Sequence, residues 1–194
     1  MAKINGVVKD HEGKIIENAE VLFVDRAFNV LASGYSNEDG EYYLQINEKT
    51  NGMVMGTFSY GEEYLAFTFD NISTHIPHRI DIRLGNVEFI KFKRGIPKER
   101  DRYVCSFQLV SLPRMIAGNR HLSPDASESS LQFLLDDKML TGYQLTKEKT
   151  AMEDRGDTID SYTLSFESDV KDRGKVLQLI YKTKDSYGIL KSYV

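Results

Sequence analysis

Gly6-Val7-Val8-Lys9-Asp10, followed by Gly13, Ile16, Asn18-Ala19 and Val21, and then Ser36-Asn37-Glu38-Asp39-Gly40-Glu41-Tyr42-Tyr43-Leu44, is the stretch whose reading decides the fold. Val7-Val8 and Val21-Leu22-Phe23-Val24 are short runs of β-branched and aromatic residues bounded by turn formers, which is the composition of strands. Asp10-His11-Glu12-Gly13 and Asn37-Glu38-Asp39-Gly40 each end in glycine, the residue that adopts a left-handed turn conformation without steric cost. Past the second turn, Tyr42, Leu44 and Ile46 alternate with polar neighbours, so one face of that strand is buried.

Working outward, the same logic places strands near 3–9, 15–16, 20–25, 30–35, 41–46, 53–59, 64–70 and 79–84. Ile80, Ile82 and Leu84 set an apolar face opposite Asp81 and Arg83, the mark of a half-buried strand. These segments are too short and too rich in β-formers for helices. The opening pattern resembles the carboxypeptidase regulatory-like domain, a transthyretin-like β-sandwich with a G-x-V-x-D-x-x-G-x-P-I-x-N-A-x-V start and a T-D-x-x-G-x-Y/F middle. The resemblance covers about residues 3 to 84. It implies a non-catalytic attachment or recognition domain, without the α/β peptidase domain that gives the family its name.

After Leu84-Gly85-Asn86 a new unit is expected, with strands at 87–92, 104–110, 131–135, 143–145, 162–166, 176–181 and 189–194. Asp136-Asp137 reads as a tight hairpin turn, and Lys184–Gly188 as the turn of the last hairpin. Seven short strands at this spacing suggest a second sandwich of immunoglobulin-like size. The expectation is therefore an all-β chain with under ~10% helix, against ~30% in average globular proteins. It comprises two β-sandwich domains, 1–85 and 86–194, with no sheet crossing the boundary. Charge supports the division, with five Lys and Arg against twelve Asp and Glu in residues 1–77, and twenty against seventeen in residues 78–194. Two stretches break the strand rhythm, Ser111–Glu128 and Lys147–Asp157, and long irregular loops in compact domains are commonly functional.

At 194 residues and 41% hydrophobic the chain has enough apolar material for ordinary cores, and its net charge of −4 does not suit general nucleic-acid binding. No stretch approaches the ~20 apolar residues of a membrane span. The start of the chain lacks an apolar signal region, so a cytoplasmic location is expected, or an exported one if the start is trimmed. Cys105 is the single cysteine, which excludes an internal disulfide. It lies in an apolar strand as a structural thiol rather than a nucleophile.

No phosphate loop, G-x-S-x-G elbow or H-E-x-x-H motif occurs. His75 and His78 bracket Ile76-Pro77 without the further ligands that zinc requires, so neither a metal nor a cofactor is expected. His11 reads as a solvated turn residue. The basic run Lys91, Lys93, Arg94, Lys98, Arg100 and Arg102 is interrupted by Glu99 and Asp101 and reads as a solvated loop. Of Tyr42 and Tyr43 at most one can reach a surface patch, because neighbours on a strand face opposite ways. Tyr60 and Tyr64 read as core.

The most suggestive segment of the second half is Ser111–Pro124. It sets Arg114, Asn119, Arg120 and His121 beside Leu112, Met115, Ile116 and Leu122, a mixture suited to a sugar or peptide. These four polar residues are the candidate ligand-binding set. The competing reading has the apolar residues sealing a junction. The expected function is a non-enzymatic binding or accessory module for a carbohydrate or protein partner. The alternatives are a structural subunit of a larger assembly, such as an appendage or phage-type particle, and, third, a small hydrolase or lyase.

Overall fold

The computed structural model describes residues 2–95, 101–127, 129–152, 156–169 and 172–194. Lys98 and Arg100 of the expected basic loop lie outside the described residues. The first half contributes β1 (Ala2–Asp10), β2 (Glu20–Asp25), β3 (Val30–Tyr35), β4 (Glu41–Ile46), β5 (Asn51–Thr57), β6 (Phe67–Ser73), β7 (His78–Arg79) and β8 (Ile82–Leu84). The second contributes β9 (Val87–Arg94), β10 (Arg102–Ser111), the short helix α1 (Leu112–Ile116), β11 (Leu131–Leu135), β12 (Lys138–Met139), β13 (Gln144–Ala151), β14 (Thr158–Glu167), β15 (Val176–Lys182) and β16 (Tyr187–Tyr193). The all-β sandwich class read from the sequence is what forms. No helix among the described residues is long and apolar enough to cross a membrane.

Among the described residues, three sheets build the molecule. One four-stranded sheet joins β4, β1, β7 and β8, another runs β13-β14-β10-β9, and an eight-stranded sheet runs β12-β11-β15-β16-β6-β5-β2-β3. The expectation that no sheet crosses Leu84–Val87 is corrected here. β16 pairs in parallel with β6, Leu190 opposite Thr68 and Ser192 opposite Asp70. The large sheet therefore contains strands from both halves.

Side-chain alternation shows how one sheet serves two cores. Tyr187 and Ile189 of β16 join the first core with Ile4, Phe23, Phe67 and Ile82, whereas Leu190 joins the second with Phe107, Phe133 and Phe166. On β15, Leu177 and Leu179 enter the second core while Val176 and Ile180 pack on the first. The β1 sheet thus covers one face of the large sheet, and the β10 sheet covers the opposite face further along. Each small sheet leaves part of its side of the large sheet uncovered, so a notch lies beside each.

The crossing point is tightly stitched. Asn86 Oδ1 accepts from Tyr187 N–H at 3.0 Å, its Nδ2 donates to the Asp185 carbonyl at 3.0 Å, and its carbonyl accepts from Leu112 N–H at 2.9 Å. Gly188 is required here, because a Cβ would collide with the Val87 carbonyl.

Both irregular stretches also differ from expectation. Ser111–Glu128 opens with α1, whose first turn holds Pro113, where a missing N–H costs nothing. Lys147–Ala151 belongs to β13, which pairs with β14 along its length. It is an edge strand exposed at nearly every position, so no apolar alternation marks it. Asp136 and Asp137 do form a tight turn, with φ of 48° and 61°, the double left-handed geometry of a two-residue hairpin. Tyr187 and Gly188 lie in β16 rather than in a turn.

Candidate functional site

The four residues singled out in Ser111–Pro124 do not act as one group. Arg114 Nη2 pairs with Asp125 Oδ1 at 2.7 Å and its Nη1 reaches the His121 carbonyl at 3.5 Å. The His121 ring lies between Thr158 Oγ1, 3.0 Å from Nδ1, and Asp160 Oδ2, 3.5 Å from Nε2. Asn119 and Arg120 are exposed at the end of the turn after α1. Of the apolar neighbours only Leu112 is buried, packing with Leu65, Val110 and Ile159. Met115 and Ile116 are exposed, so they seal nothing.

This segment leads into a polar network that the sequence did not reveal. Asp160 on β14 is buried, and its carboxylate is met by Lys147 Nζ at 2.7 Å from β13. Its backbone N–H donates to Ser123 Oγ at 2.7 Å, and Ser123 Oγ donates to the Leu109 carbonyl at 2.7 Å. Burial pushes the neighbouring Tyr162 phenol well above its ordinary range, and the Asp160 charge adds to this. Tyr162 Oη nevertheless has no well-formed hydrogen bond among the described residues. The acid, the imidazole and the ammonium here already satisfy one another.

Other candidate groups are likewise engaged. Burial pushes the Cys105 thiol up to about 12, far from a reactive thiolate. His78 Nε2 lies 2.7 Å from the Ser73 carbonyl and Nδ1 lies 3.4 Å from Tyr193 Oη. His75 Nδ1 meets Ser73 Oγ at 2.9 Å. Tyr42 is buried and donates to the Ile80 carbonyl at 2.7 Å, while Tyr43 is exposed. Tyr60 is exposed rather than core, with its hydroxyl donating to Glu88 Oε2 at 2.9 Å.

The larger concavity lies in the notch beside the β1 sheet, with a volume of about 440 Å³. That is within the range of ligand-binding clefts. Ile180, Ile189 and Tyr187 of the large sheet form its floor, and Arg79, Asp81 and Arg83 of the β7–β8 edge its rim. Lys9 and Lys191 complete it. Four cationic side chains therefore face one carboxylate, and that carboxylate is committed. Asp81 Oδ1 accepts from Val7 N–H at 3.1 Å and lies 3.5 Å from Arg79 Nη2. Arg83 sits over the Tyr187 ring with Cζ 5.9 Å from its centroid. Burial lowers the pKa of the Lys191 ammonium, against the opposing charges of Asp137 and Asp81 and with a smaller contribution from Arg83. The sequence reading missed this site because its cations come from β1, the β7–β8 edge and β16, which are distant in the chain.

The second notch, beside β9, is smaller at about 210 Å³ and is lined mainly by Met53, Met55, Phe89 and Phe92 with the exposed Phe28. No family model matches the chain, and the search of curated proteins gives no match. Among solved structures, the chain is similar to the crystal structure of Rst D1-D2 at 10% identity, over 93% of this chain and 86% of that one, with a TM-score of 0.33. A likeness of that size carries no argument about function.

Proposed function

We propose that the chain is a non-catalytic recognition module that holds a carbohydrate or protein partner in the cationic groove between the β7–β8 edge and the β15–β16 face. The observation that carries this reading is the groove itself, a concave surface with an apolar floor and a surplus of cations. Convergent polar groups around an apolar cleft are the usual form of a binding site. A binding role is also supported by the state of the reactive groups, since Cys105, His78 and the Asp160–Lys147–His121 set are occupied by internal contacts. The reading of residues 3 to 84 as a carboxypeptidase regulatory-like module belongs to the same proposal. The left-handed Gly13 and Gly40, with φ of 95° and 75°, support it. The immunoglobulin-like reading of the second half belongs to it too, supported by the pairing of β9, β10, β13 and β14 into one sheet.

Filling the groove tests the reading. Ile180→Trp places a bulky ring on its floor, and the variant should lose binding to whatever a glycan and peptide array shows for the parent. Because Ile180 also packs on the first core, the exposed rim variant Arg83→Glu, with an unchanged melting curve, should lose it too. Full retention of binding would remove the groove as the site. A second contact surface is favoured by the exposed cluster Met115, Ile116, Asn119 and Arg120 at the end of α1. Under that reading, Asn119→Ala and Arg120→Ala weaken array binding without lowering stability, and unchanged affinity in both rejects it.

A further inference from the structure

We propose that the partner of the groove is a protein, which lays an extended acidic segment along the open β7–β8 edge as an added strand; this rests on the groove being the recognition site. The edge is available. In the β1 sheet, β7 and β8 lie on the side of β1 opposite β4, and among the described residues no strand pairs beyond them; the backbone bridge of Leu65 to Gly85 closes only the end just past β8. An exposed edge offers main-chain donors and acceptors to an incoming strand, while alternate side chains of that strand confer specificity.

The charge is complementary to acid. The chain as a whole carries −4, yet this groove concentrates cations. With Asp81 held by Val7 N–H and Arg79, Lys9, Arg83 and Lys191 have no ion-pair partner within 4.0 Å among the described residues. Spacing fits as well. Arg79, Asp81 and Arg83 recur at period two along the rim, about 6.7 Å apart, and an added strand presents its side chains at the same period. Acidic residues on one side of that strand would meet Arg83, Lys9 and Lys191, which line the groove together. Apolar residues between them would turn toward Ile180 and Ile189.

A sugar is less well served. The Tyr187 ring in the groove is buried, with His11 stacked 6.1 Å from it and Arg83 over it. No open aromatic face is left there for a sugar ring.

The test measures fluorescence anisotropy with a labelled ten-residue peptide of alternating glutamate and valine, titrated with the full chain at low and physiological salt. Saturable binding should weaken with salt, fall at least tenfold in Lys191→Gln and about threefold in Arg83→Gln, and vanish for the peptide with glutamine in place of glutamate. Lys49→Gln, far from the groove in sequence and absent from its lining, should change nothing. Melting curves of the variants should match the parent, and should Lys191→Gln fail to fold, Arg83→Gln carries the test alone. Polygalacturonate oligosaccharides and citrate form the other arms. If either binds with the same dependence on Arg83 while the peptide does not, the groove stands as a site but the peptide proposal falls. If no probe shows a dependence on Arg83 or Lys191, or if Lys49→Gln weakens the peptide equally, both are overturned.

Discussion

Glu88 shows how a single side chain can set a pH dependence. It is buried at the start of β9, and burial raises the pKa of its carboxyl above the ordinary 4.5, with the Tyr60 hydroxyl and Ala66 N–H bonds pulling the other way. Burial of the Tyr60 hydroxyl, with the Glu88 charge and hydrogen bond adding to it, pushes that phenol up to about 12. A carboxyl raised by folding binds more protons folded than unfolded. Its contribution is therefore fully present below about pH 4.5 and lost as pH rises through the folded value. Glu88→Gln can keep its carbonyl as an acceptor for the Tyr60 hydroxyl and cannot ionise. The variant should melt above the parent at pH 7, with the gap closing as pH falls toward 4.5. Melting temperatures measured across pH 4 to 8 check this, and a gap that is constant or widens toward acid would reject it. Glu88 could not be singled out in the sequence, because Val87-Glu88-Phe89 reads as an alternation that exposes the glutamate. In the structure it is buried, with the Tyr60 hydroxyl donating to it.

At the scale of elements, the turns were the most legible part of the chain, since their chemistry is local. Asp10 Oδ1 accepts from the N–H groups of Glu12 and Lys14 at 2.9 Å each, and Asn37 Oδ1 accepts from Asp39 and Glu41 at 3.1 and 2.8 Å. The two turns thus share one side-chain clasp closed by a left-handed glycine, but they differ in what surrounds that glycine. A Cβ at Gly13 meets nothing within 4 Å, whereas at Gly40 it would lie 2.7 Å from the Val8 carbonyl. Gly13→Ala should therefore cost about 1–2 kcal/mol of left-handed strain, and Gly40→Ala roughly twice that, because β1 must also move. Urea titrations of both variants check the order. Equal losses, or a stabilised Gly40→Ala, would contradict it. The elements that the sequence did not show are those whose pattern is set from outside. β13 carries no apolar stripe because it is an exposed edge, and α1 is too short for a helical period to register.

The whole molecule is organised by a pairing that no local pattern encodes. β6 and β16 lie more than a hundred residues apart in the chain, Thr68 against Leu190, and their parallel contact turns two sandwiches into a pair that shares one sheet. A trace of this was present in the sequence. Val176-Leu177 with Leu179-Ile180, and Ile189-Leu190, are apolar at successive positions, as expected of strands buried on both faces, but the same composition also fits the centre of a self-contained second domain. The cationic groove follows from the staggered arrangement, because the β1 sheet stops short of covering β15 and β16. The candidate residues in Ser111–Pro124 were legible as a polar and apolar mixture. The groove was not, since its parts converge only in three dimensions.

The shared sheet is the claim on which the groove depends, and native-state hydrogen exchange tests it most directly. Backbone amides of β6 and β16, together with those of β2 and β15, should open with one common free energy, equal to that of global unfolding, because breaking the β6–β16 ladder exposes both cores. Two separate levels, one for residues 2–85 and another for 87–194, with fast exchange in β6 and β16 where they meet, would contradict the shared sheet and the groove built on it.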